Sequence, residues 1–160
     1  MKLELSDHFN QELPAAPQVT NQRRQVTGAA FSFVTPRVPS APKLLHASNE
    51  VAELIGLSAE DLASKEFLDI FSGGRVPDDA HPYAMCYGGH QFGNWAGQLG
   101  DGRAINLCEV QHLNKRWTLQ LKGAGETPYS RTADGLAVLR SSLREHLCSE
   151  AMFHLSLIHI

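Results

Sequence analysis

Along the first 47 residues the apolar side chains follow neither a two-residue nor a 3.6-residue period. Pro14, Pro17, Pro36, Pro39 and Pro42 leave intervening runs too short for helices. Phe31-Ser32-Phe33-Val34-Thr35 predicts one short strand, with aromatic and β-branched residues just ahead of a proline. The remainder reads as an arm wrapped over another part of the molecule, because its Phe and Leu side chains need burial. From Ser48 onward the pattern turns helical in short pieces. Ser48 or Asn49 caps a helix over 50–55 that Gly56 stops, and Ser58 opens a second with Asp61 placed for a capping box. A further helical turn over 66–71 ends at Gly73-Gly74.

The character changes near residue 81. Six glycines fall between His81 and Gly102, mixed with aromatics, a density that weakens ordinary strands and suits sharp turns or a closely approaching ligand. Gly100-Asp101-Gly102 predicts a tight turn, 103–110 a strand, and 112–115 the next turn. Over 116–122 the alternation is clean: Trp117, Leu119 and Leu121 point one way, Thr118, Gln120 and Lys122 the other. The expected result is an antiparallel meander of three strands with a glycine-rich first turn. A helix is expected from about Gly135 to Leu155, with Leu139, Leu143, Leu147 and Leu155 on one stripe. Glu145 falls on a second line with Val138, Cys148 and Met152. A carboxylate among apolar neighbours is costly unless a cation meets it, and Lys122 is the candidate.

Composition narrows the function classes. Hydrophobic residues make up 42% and charged residues 19% of the chain, an ordinary globular balance. The net charge of −3 argues against a nucleic-acid partner bound by counterion release. No apolar run reaches membrane-spanning length, and the first residues carry no signal-peptide core. Glu4, Asp7 and Glu12 disfavour a mitochondrial presequence, and three scattered cysteines fit a reducing compartment, so the expected location is cytoplasmic. The pairs Cys86/His90 and Cys108/His112 have one-turn spacing, but they fall on predicted strands and loops, where such side chains do not converge on zinc. His90 reads as a loop-bound structural histidine, and Trp95 and Trp117 as packed residues.

In order, the chain reads strand, glycine turn, strand, turn, strand ending in Lys122, then a helix bearing Glu145. Protein kinases arrange their nucleotide lobe in this way, with a lysine gripping phosphates and a glutamate orienting it. The pattern alone equally describes a common glycine hairpin with a solvated lysine, with Glu145 paired to Arg144 or Lys122 for structure. The residues themselves are more specific. The runs 83–93, 98–104, 119–125 and 127–131, with Ala133-Asp134-Gly135 and 137–145, resemble the selenoprotein O (SelO) family, and the likeness extends from about Pro36 to Leu155.

That resemblance implies an α+β, protein-kinase-like nucleotide-binding lobe (antiparallel sheet plus helix), truncated before the second lobe. It implies a protein adenylyltransferase that binds ATP in reverse and moves AMP to Ser, Thr or Tyr hydroxyls of proteins, redox proteins among them, with Mg²⁺ or Mn²⁺. Carried over by motif, Gly100, Gly102, Arg103, Lys122, Asp134 and Gly135 bind ATP and Glu145 orients the lysine. The catalytic aspartate and the metal ligands are expected in the second lobe, so none is assigned here, and this chain alone is expected to be inactive. The implied organisation is an arm and small helical region over 1–80, the ATP-binding lobe over 81–155, and an atypical tail over 156–160 that reads as a truncation artefact. Leu136 stands where the family usually has arginine, and Cys108 where it usually has glycine. The rival readings are a non-catalytic pseudokinase module that regulates a partner and an ordinary phosphoryl-transferring kinase.

Overall fold

The longest strand, β6 (Ala104–His112), is buried over seven consecutive residues and organises the fold. It pairs antiparallel along its length with β7 (Lys115–Lys122), with an irregularity between Asn106 and Cys108. The connection is the two-residue turn Leu113-Asn114, both with positive φ (47° and 60°). That geometry matches the twist of the strands it joins. The opposite edge of β6 carries two short strands: β1 (Leu5–Ser6) beside Val110 and Glu109, and β3 (Tyr83–Met85) beside Asn106. β3 in turn pairs with β2 (Phe31–Phe33), which completes an antiparallel five-stranded sheet. The glycine-rich stretch forms its own hairpin, β4 (Gly88–Gln91) and β5 (Asn94–Gln98), outside that sheet. This computed structural model describes residues 1–157, and of the tail 156–160 the last three residues lie outside the described residues.

Short helices close one face: α2 (Asn49–Leu54), α3 (Ala59–Leu62) and α4 (Lys65–Phe71). Ser58 and Asp61 form the expected capping box, and the Ser64 hydroxyl accepts from the Phe67 N–H to cap α4. Ala52, Ile55, Leu57, Phe67 and Ile70 from this region pack on Leu107, Cys108, Val110 and Leu121 of β6 and β7. A second cluster joins Ala16, Val26 and Val34 to Ala84, Ile105 and Tyr129. Leu107, Ile105, Val110 and Phe31 are fully buried, each worth about 1.5–3 kcal/mol relative to exposure.

Several expectations need correction. The strand expected at 31–35 is present as β2, but the rest of the arm is not wholly irregular: it also contributes β1 and a helix, α1 (His8–Glu12), whose Phe9 stacks on Tyr83 at 4.7 Å. The three-stranded meander β3–β6–β7 exists, but the β4–β5 hairpin is inserted in its first connection. The final helix, α5, spans Leu139–His154, not 135–155. Its start is delayed because Leu136 bridges to Ala124, its N–H is taken by the Asp134 carboxylate at 2.9 Å, and Gly135 has φ +72°. The leucine stripe of α5 is not core: Leu139, Leu143, Leu147 and Leu155 are all exposed. Trp95 is likewise exposed, whereas Trp117 packs against the first cluster.

Candidate nucleotide-binding cleft

A cleft of about 410 Å³ opens where the turn at residues 99–104 meets β7 and the segment 129–131. The turn demands glycine. At Gly100 φ is +119°, and a Cβ there would fall 2.6 Å from both the Met85 carbonyl oxygen and the Tyr129 ring. At Gly102 a Cβ would fall 2.7 Å from the Tyr129 carbonyl oxygen. The turn is held from both sides. The Asp101 N–H donates to the Met85 carbonyl at 3.0 Å, and the Gly102 N–H to the Gly100 carbonyl at 2.9 Å. From below, the Thr127 hydroxyl donates to the Asp101 carbonyl at 2.7 Å and the Ser130 hydroxyl to the Gly102 carbonyl. Thr127 and Ser130 are themselves buried and bonded to each other.

The Asp101 carboxylate is a turn-former. It accepts from the Met85 N–H and the Asn106 amide, each at 3.0 Å, and from the Tyr87 hydroxyl at 3.4 Å. Partial burial, then the nearby Asp101 charge, pushes the Tyr87 phenol up from its ordinary value. Asn106 passes the network on by accepting from Gln120 at 2.8 Å, so the turn and β7 are tied through side chains. Because the N–H groups of Asp101 and Gly102 are taken inside the turn, the cleft presents its positive character chiefly through side chains.

Those side chains are cationic. Arg103, Lys122 and Arg131 line the cleft, and the Lys122 ammonium lies 3.0 Å from the Glu145 carboxylate of α5. The lysine–glutamate pairing expected from the sequence is therefore formed. Its setting differs from expectation, since the two side chains are 43% and 51% exposed and Glu145 is not buried among apolar neighbours. Gly100, Gly102, Arg103 and Lys122 share the cleft wall. Asp134 and Gly135 do not: Asp134 is exposed and holds the Leu136 N–H, and Gly135 is buried against Gly125, whose N–H it receives at 3.2 Å. Tyr87, Gln91, Gln120 and Ser130 also line the cleft without having been singled out from the sequence, as does Arg131, which was left out of the expected site. The run Thr127-Pro128-Tyr129-Ser130-Arg131 was the available signal for two of them.

A divalent cation does not fit the described residues here. Asp101 is the carboxylate on the cleft wall, and both its oxygens already accept hydrogen bonds. Of the cysteine–histidine pairs, Cys86 packs against the second cluster and Cys108 lies in the first, where burial pushes its thiol up to about 12, while His112 lies against Gly56 and His90 meets Trp95 edge-on at 5.1 Å.

In this mixed α/β domain, three basic side chains around a glycine turn give the cleft a charge complementary to an anion. The chain belongs to the SelO protein adenylyltransferase family, whose model matches residues 17–159. It is 65% identical to the protein nucleotidyltransferase YdiU of Flavobacterium johnsoniae, and 62% and 60% identical to those of Rhodopirellula baltica and an Azoarcus species. Each match covers 96% of this chain, and the chain spans only 28–30% of the length of these curated relatives. No helix among the described residues is long and apolar enough to cross a membrane.

Proposed function

We propose that residues 81–155 are the ATP-binding, protein-kinase-like lobe of a protein adenylyltransferase. The observation that carries this reading is the 3.0 Å Lys122–Glu145 pair beside a glycine turn, in a chain of this family. The polyphosphate of ATP lies against Arg103 and Lys122, with Gly100 and Gly102 allowing close approach and Asp134 and Gly135 shaping the segment that leads into α5. Glu145 fixes the ammonium, because a lone lysine on a flexible stem carries rotamer entropy that must be lost on binding.

In the proposed reaction a Ser, Thr or Tyr hydroxyl oxygen of a protein attacks the α-phosphorus. The bond from that phosphorus to the bridging oxygen breaks, and pyrophosphate leaves with the electron pair. The cationic side chains stabilise charge on the departing pyrophosphate. Mg²⁺ or Mn²⁺ would add charge neutralisation when bound. The base that takes the hydroxyl proton and the metal ligands belong to the second lobe, so these 160 residues alone do not transfer AMP. Redox proteins are the proposed substrates and the cytoplasm the proposed location.

The test is a chimera in which residues 1–155 replace the matching segment of the Flavobacterium johnsoniae relative. It is incubated with Mg²⁺ or Mn²⁺ and ATP labelled at the α or the γ phosphate. Protein labelled from α alone is the expected result. Label from γ alone would make the lobe that of a phosphoryl-transferring kinase, and ATP binding without label would favour a regulatory pseudokinase.

A further inference from the structure

We propose that Arg131 is a polyphosphate-binding residue of this cleft, a third cation beside Arg103 and Lys122 that holds phosphate oxygens of a nucleoside triphosphate. The inference rests on the reading that the cleft takes ATP. Arg131 stands at a junction: it lines the main cleft and also an adjoining hollow of about 310 Å³. Its backbone has φ +55°, a conformation that residues with side chains rarely adopt. The neighbours impose it. The Ser130 N–H donates to the Thr127 carbonyl at 3.1 Å and the Ala133 N–H to the Ser130 carbonyl at 2.9 Å, while the Ser130 hydroxyl is anchored on Gly102. A strained arginine held this firmly beside a cleft is an outlier that points to a task there.

The charge accounting singles it out further. Arg23 is engaged by Glu126 at 2.7 Å, Arg24 donates to the carbonyls of Gln18, Thr20 and Gln22, and Lys122 meets Glu145. Among the described residues no carboxylate lies within 4.0 Å of the Arg131 guanidinium, and its hydrogen-bond partner is the neutral Gln91 side chain at 2.8 Å. Gln91 uses one donor nitrogen and orients the planar group without neutralising it. The remaining N–H groups stay available for a forked, charge-assisted contact with phosphate. A lysine–glutamate pair that largely cancels its own charge leaves Arg103 and Arg131 to balance a polyanion.

The test measures ATP and adenosine binding to the 160-residue chain by calorimetry at two salt concentrations, for wild type, Arg131→Met, Arg131→Lys and Lys122→Met. Arg131→Met is expected to weaken ATP about tenfold or more, to leave adenosine unchanged and to flatten the salt dependence, with Arg131→Lys recovering most of the loss. Both replacements inherit the same backbone strain, so thermal melts report any difference in folding. Unchanged ATP affinity in Arg131→Met while Lys122→Met weakens ATP would overturn this inference and leave the parent reading standing. So would a matched fall for ATP and adenosine, or no difference between the Met and Lys variants. Wild-type binding no tighter for ATP than for adenosine, with Lys122→Met equally indifferent, would remove the parent reading and this inference together.

Discussion

The glycine turn at 100–102 lines the cleft and helix α5 reaches it through the Glu145–Lys122 pair, yet the two are built in opposite ways. The turn is embedded. Buried Thr127 and Ser130 clamp its carbonyls, Asp101 is bonded on both oxygens, and the fully buried Ile105 and Leu107 follow directly in β6. The helix has no buried residue, leaves Leu139, Leu143 and Leu147 exposed, and has among its links to the rest the half-exposed Lys122–Glu145 pair and a 2.7 Å contact between His146 and His46. The glycine turn is therefore shaped by folding itself. The orientation of Lys122 depends on an element attached through polar contacts, which are weak when solvated.

The sharpest way to break this contrast is at Gly100. Gly100→Val meets both a left-handed φ and contacts of 2.6 Å with a backbone oxygen and a ring, and should cost about 3 kcal/mol or more in denaturant unfolding. An unchanged midpoint would mean the turn is not rigid. Thr127→Val removes a hydroxyl that donates to the Asp101 carbonyl and accepts from the Tyr129 N–H at 3.2 Å, with an expected loss of about 1–3 kcal/mol by the same assay. By contrast, Glu145→Ala should shift stability by less than about 1 kcal/mol, because the pair it breaks is half-exposed.

Cysteine chemistry gives a smaller but independent contrast. Iodoacetamide at pH 8 should modify exposed Cys148 on α5 readily and buried Cys108 only after unfolding, as read by mass spectrometry. The folded Cys108 thiol keeps its proton up to about 12, against an ordinary value of 9.0. Its contribution to stability is therefore full below pH 9 and is lost as pH rises from there toward 12. Equal labelling of the two thiols in the folded chain would contradict the division into an embedded sheet and a loosely attached helix.

Much of this division was legible in the sequence where one physical signal dominated. The two-residue alternation of 116–122 fixed the facing of β7, and Ser58 with Asp61 announced its capping box. The Lys122–Glu145 pair follows from order and spacing along the chain, but the burial that was its expected reason is missing, since both side chains are half-exposed. What escaped depended on contacts between distant segments. β1 is two residues long and exists because β6 offers it an edge. The start of α5 was misplaced because the bridge from Leu136 to Ala124 outcompetes helical propensity at 135–138. The leucine stripe has helical spacing, but spacing alone does not say whether anything covers it. Arg131 closes the run 127–131 that carries part of the family likeness, yet its strained backbone and its neutral partner are visible only in three dimensions.

The most direct test of the central claim, that Glu145 acts on nucleotide through Lys122, is a double-mutant cycle on ATP affinity. It uses Lys122→Ala, Glu145→Ala and the double variant, measured by calorimetry on the 160-residue chain. Each single change should weaken ATP to a similar extent, and the double change should cost little more than either alone, a coupling of about 1 kcal/mol or greater. Losses that simply add would mean that the 3.0 Å pair exists without orienting the lysine for phosphate.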